Sequence, residues 1–194
     1  MPYSDRMKPL FYNPKKTFEE IMKKPDLFKT SLIFIISTIL STVVSTYGMF
    51  MYINMIWLVI YGFVFTLIWL LPSFFSTLLL RLSRVKISPV VHMESALISF
   101  FPLFTFLTAY FVGATLKYTV FSNPKDTVYS YLIYRGAWKL PVAMFFIGFL
   151  WSFIYMVYST HKVAKIRVIY SFFLWIFAWM LSIYPIYLVV RCWL

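Results

Sequence analysis

The sequence predicts an all-α integral membrane protein, with five transmembrane helices preceded by a short amphipathic interfacial helix. No Asp, Glu, Lys, Arg or His occurs between Lys29 and Arg81. As a helix this stretch would be about 76 Å long, and because the hydrocarbon core of a bilayer is about 30 Å thick, we expect it to cross twice. The composition points the same way: 62% of the residues are hydrophobic and 12% are charged, whereas soluble proteins have about 25% charged residues.

Residues 1–29 are expected to form a cytoplasmic segment that contains the interfacial helix over residues 14–24. No apolar segment directly follows the first charges, so we expect no signal peptide. Asn13 is a favourable N-cap, and Pro14 suits the first helical position. Phe18, Ile21 and Met22 then share one face. The pattern favours a helix in the headgroup region, where anionic lipid would be contacted by Lys15, Lys16, Lys23 and Lys24. A solvated helix that leans on neighbouring loops is the alternative.

Residues 30–194 are predicted to form a single membrane domain, with spans at about 30–51, 54–80, 89–116, 140–160 and 168–190. In the first span Ser37, Ser41 and Ser45 recur every fourth residue and therefore share one helix face. A row of small side chains favours close helix packing, and a polar translocation path is the alternative. Pro72 and Pro102 each remove a backbone hydrogen bond, so we expect bends in the second and third spans.

Glu94 is the only acidic residue inside a predicted span. A carboxylate in a membrane segment is costly, and it is usually paired or functional. In the structural interpretation it is stabilised by the N-terminal end of its own helix and by a basic residue of the preceding loop. In the functional interpretation it is a proton or cation site. His92 lies two residues away and points elsewhere on a helix. The candidate intramembrane polar site comprises Glu94, Arg81, Arg84, Lys86 and His92.

The distribution of basic residues predicts the orientation. With the N-terminus inside, thirteen Lys and Arg residues lie on the inner side and five on the outer side, as the positive-inside rule requires. We therefore expect a cytoplasmic N-terminus and an outer C-terminus. The connection 117–139 is rich in aromatic residues and is expected at the outer interface. The single cysteine, Cys192, allows no internal disulfide, and either a structural thiol or a palmitoylation site fits its position.

The charge and the motifs narrow the function classes. A net charge of +12 would suggest nucleic acid for a soluble protein, but here the basic residues lie between apolar spans. The expected partner is therefore the lipid bilayer with its anionic headgroups, and no nucleic acid. The common nucleotide-binding, zinc-protease and serine-hydrolase motifs are absent, and the aspartates all lie in polar segments. We expect no catalytic residue, no cofactor and no metal.

The opening residues resemble the start of the short prokaryotic members of the Yip (Ypt-interacting protein) family. In those proteins an N-P-x-x-[TA]-F-x-x-I segment and a second proline precede the first of five spans. Here the matching residues are Asn13, Pro14, Phe18, Ile21 and Pro25, and the loop THKVAKIR before the last span is similar too. The resemblance implies a protein of the prokaryotic cytoplasmic membrane that organises or shapes membranes, or assembles with other membrane proteins, with no catalytic residue.

Two functional hypotheses follow. In the first, the protein organises membranes or assembles with a membrane-protein partner or as a homo-oligomer, using the hydroxyl-rich first span and the basic N-terminal segment. In the second, it is a small transporter, channel or transporter accessory subunit, with Glu94 as a proton or cation site between spans bent at Pro72 and Pro102. Many transporters contain internal repeats, and none is visible here. The first hypothesis is therefore preferred.

Overall fold

The computed structural model describes residues 8–50, 55–106 and 139–193, and every regular element within these ranges is helical. A short 3-10 helix at Lys8–Leu10 precedes six α-helices. They are α1 (Pro14–Lys23), α2 (Leu27–Phe50), α3 (Met55–Leu82), α4 (Pro89–Ser99), α5 (Lys139–Ala164) and α6 (Val168–Trp193). After a turn at Phe100 the chain is helical again over 101–106. The prediction of an all-helical protein is confirmed for these residues.

Local sequence explains where the first two helices begin. The Asn13 side chain accepts a hydrogen bond from the Lys16 N–H at 3.3 Å, and Pro14 occupies the first helical position. The Asp26 carboxylate similarly accepts the Lys29 N–H at 3.2 Å. Because Asp26 satisfies this otherwise unpaired donor, α2 already begins at Leu27, three residues before the predicted span.

Among the described residues, four helical segments are long and apolar enough to cross a membrane, and they cover Gly62–Leu82, Pro89–Phe106, Ala143–Ala164 and Val168–Val189. A shorter apolar helix covers Leu27–Leu40. These helices indicate a membrane-embedded protein. The end of the predicted third span and nearly all of the aromatic connection 117–139 lie outside the described residues.

The long helices pack around one aromatic core. The α3 helix lies along α6, α4 lies along α5, and α2 contacts both α3 and α4. Phe34 of α2, Trp69 of α3 and Trp175 of α6 are each at most 3% exposed. The Phe34 and Trp69 rings lie 5.7 Å apart between centroids. This core joins the described parts of α2 to α6, since its other buried members come from the third span, α5 and α6.

The third predicted span is interrupted near Pro102. The α4 helix ends at Ser99, and the Phe100 N–H bonds the Leu97 carbonyl at 3.0 Å. Proline has no N–H with which to continue the helical ladder. The Leu103 N–H is satisfied from another helix, by Ser152 Oγ of α5 at 3.0 Å. The helix is therefore interrupted by a turn at Phe100, two residues before Pro102, whereas α3 is helical throughout its Pro72 region.

Gly148 of α5 allows the residues after this turn to approach closely. A Cβ at position 148 would lie 3.1 Å from Leu103 Cα and 3.2 Å from Phe106 Cβ. Separations this short are tighter than most real Cβ contacts. The absence of a side chain at Gly148 therefore sets the distance between α5 and the second half of the broken span.

The apolar face of α1 is covered by α4 and α5. Phe18 and Ile21 are both fully buried, and they pack with Ile98 and Tyr155. Tyr155 donates its O–H to the Leu10 carbonyl at 2.7 Å, which ties the 3-10 helix to α5. Protein therefore covers this apolar face, and the prediction that the helix lies in the headgroup region stays a prediction. Met22, expected on the same face, is 38% exposed.

Candidate functional site

Glu94 lies in the interior of the protein, next to the start of α2. It is 0% exposed. Its Oε2 atom accepts the Asp26 N–H at 2.6 Å, and its Oε1 atom accepts the Thr30 O–H at 3.0 Å. Thr30 is also 0% exposed. Both carboxylate oxygens therefore bind the first turn of α2, and we call Glu94, Asp26 and Thr30 the Glu94 site.

The electrostatics of this site follow from its position at a helix N-terminus. The first N–H groups of an α-helix have no partner within the helix, and the helix dipole places partial positive charge there. The Glu94 carboxylate is stabilised by both effects. The sequence predicted that the carboxylate would be stabilised by the N-terminus of α4, the helix that contains Glu94. The hydrogen bonds come instead from the N-terminus of α2. On the exposed side of the same helical turn, Lys29 Nζ lies 3.2 Å from Asp26 Oδ2.

The basic residues expected beside Glu94 lie elsewhere. Arg81, Arg84 and Lys86 are all exposed in and around the connection between α3 and α4. The hydrogen bonds to Glu94 described above come from α2. The structure therefore does not bring the carboxylate and these three cations together as one buried cluster.

His92 occupies a separate pocket. Its Nε2 atom lies 3.1 Å from Ser76 Oγ of α3, and its ring centroid lies 6.2 Å from that of Trp175 of α6. Because Ser76 Oγ already donates to the Ser73 carbonyl at 2.9 Å, the contact fits an imidazole that carries its proton on Nε2. The Nδ1 atom is buried without a hydrogen-bond partner among the described residues. His92 thus joins three helices.

Further polar contacts connect α4, α5 and α6 beside His92. The Trp175 Nε1–H lies 2.9 Å from both the Met156 carbonyl and Thr160 Oγ1. Ser99 Oγ of α4 lies 3.2 Å from Ser159 Oγ of α5. Hydrogen bonds of this kind stabilise helix–helix contacts in membranes.

Buried serines on α3 to α6 are a feature that the sequence interpretation missed. Six of them are 0% exposed in α3, α4 and α5, namely Ser73, Ser76, Ser95, Ser99, Ser152 and Ser159. Several donate to a carbonyl three or four residues back in their own helix, so they act mainly as small packing residues. Ser95 and Ser99 are four residues apart, and the same spacing predicts a packing face in the first span.

The predicted row in the first span is only partly described. Ser37 is half-buried, and it is its neighbour Thr38 that is buried in the core. The side chains of Ser41 and Ser45 lie outside the described residues. The lysines predicted to contact lipid headgroups are all exposed on or just after α1, as Lys15, Lys16, Lys23 and Lys24.

The chemistry available at these positions is limited. Both oxygens of Glu94 accept hydrogen bonds from α2, and the His92 imidazole contacts different neighbours. In the described part of the chain, no three His, Cys, Asp or Glu side chains are grouped so that they could hold a metal ion. The geometry of the Glu94 site is suited to joining α2 to α4.

The fold and this site define a class, a helical membrane-embedded protein whose buried polar groups connect its helices. Comparison with known proteins adds no narrower assignment. No family model, no curated protein and no solved structure matches the chain. The resemblance to the Yip family stays a prediction that depends on the N-terminal residues.

Proposed function

We propose that this chain is a non-enzymatic, polytopic membrane protein of Yip-like type that organises the membrane or assembles with other membrane proteins. The observation that carries the proposal is the hydrogen bonding of the Glu94 carboxylate within the protein. Its two oxygens accept hydrogen bonds at 2.6 and 3.0 Å from the start of α2, in a fully buried position. A carboxylate with both oxygens hydrogen-bonded in this way stabilises the packing of the helices. We therefore assign the function to the exposed surface of the helices.

The proposal includes five spans, with α2 as the first. This helix has 24 residues, or about 36 Å at 1.5 Å per residue, which exceeds a hydrocarbon core of about 30 Å. The positive-inside rule then places the N-terminus, the α3–α4 connection and the α5–α6 connection in the cytoplasm. In this arrangement α1 packs against α4 and α5. Its exposed lysines face anionic headgroups of the plasma membrane.

The surface that we assign to assembly is the outer face of α6. Only 17% of its membrane segment is buried inside the protein, against 61% for the segment Pro89–Phe106. Met180 and Ile183 are 61% and 59% exposed on this face. Because lipid tails are as apolar as these side chains, close packing decides whether lipid or another helix covers them. The expected occupant is a helix of another membrane protein or of a second copy.

Photo-cross-linking in native membranes tests this proposal. A photoreactive amino acid placed at Met180 or Ile183 is expected to give a discrete adduct with a second copy or with another membrane protein. Phe146 and Leu150 of α5 are the matched control positions, since they are 63% and 60% exposed. Adducts that form from α6 and not from α5 support assembly through α6. If neither helix gives a protein adduct, the assembly proposal fails.

A further inference from the structure

An apolar cavity lies between the end of α3 and the beginning of α6. Its volume is about 340 Å³, at the small end of the range of roughly 300–1,000 Å³ that is typical of ligand pockets. Its wall is almost entirely apolar, with Leu79, Leu80, Val85, Ile166, Leu174 and Phe177. Such a cavity has room for part of one hydrocarbon chain.

Both loops at this cavity contain a basic residue in the left-handed backbone region. Arg84 has φ 56° and Lys165 has φ 54°. Arg84 lies between the lining residues Ser83 and Val85, and Lys165 directly precedes Ile166. Positive φ at a non-glycine residue is strained, and such strain is concentrated at functional sites.

The backbone hydrogen bonds around Arg84 form a helix ending at which glycine is the expected residue. The Val85 N–H bonds the Leu80 carbonyl at 3.1 Å, and the Arg84 N–H bonds the Arg81 carbonyl at 2.9 Å. This pair of bonds is the Schellman helix ending, at which glycine is the usual residue. Arginine at this position therefore carries a backbone cost that its charged side chain must offset.

The charge around the cavity is of one sign. Residues 81–88 and 161–168 contain no Asp or Glu. The same two ranges contain four more cations besides Arg84 and Lys165, and all are exposed, namely Arg81, Lys86, Lys162 and Arg167. Two loops of positive charge beside an apolar cavity are complementary to a phosphate attached to a hydrocarbon chain.

We propose that the cavity and its two loops bind one anionic glycerophospholipid. Part of one acyl chain occupies the cavity, and the phosphate lies at the loops, within reach of Arg84 and Lys165. This inference goes beyond the proposed assembly function, because it assigns a lipid class and a site that do not depend on any partner of α6. Arg84 and Lys165 have a backbone conformation that favours glycine. Phosphate binding by their side chains explains why these positions are basic.

Native mass spectrometry of the detergent-purified full chain tests the proposal. Phosphatidylglycerol and phosphatidylcholine with the same acyl chains are titrated separately. The double variant Arg84→Gly/Lys165→Gly is expected to bind phosphatidylglycerol at least about tenfold more weakly. Its thermal stability should be equal or higher, since glycine removes the backbone strain. The control is Arg191→Gln, which removes an exposed cation at the opposite end of α6 and should leave the affinity unchanged.

Three results of these lipid titrations would overturn the proposal. The first is equal affinity of the wild-type protein for both lipids. The second is equal loss of phosphatidylglycerol binding in the Arg191→Gln control, which would indicate only diffuse attraction. The third is displacement of phosphatidylglycerol by inorganic phosphate alone at similar concentration, which would indicate a free-phosphate site. A cavity-filling Leu174→Trp variant that remains folded should also lose the lipid, and retained binding or dimer formation through this cavity would contradict the acyl-chain assignment.

Discussion

Removing the Glu94 carboxylate is expected to destabilise the junction between α2 and α4. An interhelical hydrogen bond between neutral groups in a membrane contributes about 0.6 kcal/mol, and an ionised acceptor roughly doubles this. Glu94 makes two such bonds, at 2.6 and 3.0 Å. Glu94→Ala also leaves the part-buried Asp26 N–H and the buried Thr30 O–H without this acceptor, at a cost of roughly 1–3 kcal/mol. The free energy of unfolding should therefore fall by about 3–5 kcal/mol, and by about 1.5 kcal/mol for Glu94→Gln, whose amide oxygen keeps one bond.

Equilibrium unfolding in lipid bicelles, followed by steric trapping or by tryptophan fluorescence, measures these values. The control is Glu19→Gln, because Glu19 is exposed and its contact with Lys15 is a 3.8 Å surface pair that should contribute less than about 0.5 kcal/mol. Thr30→Val combined with Glu94→Ala should show a coupling free energy of about 1 kcal/mol. If Glu94→Ala is as mild as the control, or if the coupling is absent, the carboxylate does not join these helices.

Two other substitutions test the packing around α5. Gly148→Ala should lower the free energy of unfolding by about 1–3 kcal/mol, because the new Cβ would lie 3.1 Å from the backbone at Leu103; an unchanged unfolding curve would show that the broken span does not contact α5 as described. Tyr155→Phe removes the 2.7 Å bond to the Leu10 carbonyl at a cost of about 1 kcal/mol. Limited proteolysis should then cleave before α1 faster, while cleavage in the α5–α6 connection stays at the wild-type rate; equal rates before α1 would contradict the anchoring role.

The helices themselves were predictable because their signals are local. The Asn13-Pro14 pair predicts the start of α1, which begins at Pro14, since capping and the missing proline N–H act within one turn. The α4 helix likewise begins at a proline, Pro89, although the Ser88 side chain makes no capping hydrogen bond. The long apolar stretches likewise predicted spanning helices, because uninterrupted hydrophobic runs need no tertiary information. Pro102 predicts a bend for the same reason, but the turn at Phe100 was not predicted.

What covers each helix face could not be predicted in this way. The amphipathic pattern of α1 shows that Phe18 and Ile21 need an apolar environment, but lipid and protein satisfy that need equally. The contacts of Glu94 with residues more than sixty positions away depend on how α2 and α4 meet in space. A serine in a span is likewise compatible with a lipid-facing or a helix-facing position, because its hydroxyl can bond its own helix. Spacing within one helix therefore cannot identify the partner helix.

Ion and solute flux through proteoliposomes tests the central claim most directly, namely that Glu94 serves the architecture and not a transport reaction. The wild-type protein, reconstituted under an imposed pH or cation gradient, should show no flux above that of protein-free liposomes, and Glu94→Gln should give the same trace. Wild-type flux that Glu94→Gln abolishes, in a variant that remains folded by circular dichroism and gel filtration, would contradict the account. Glu94 would then be a proton or cation site, and the protein a small transporter, channel or accessory subunit.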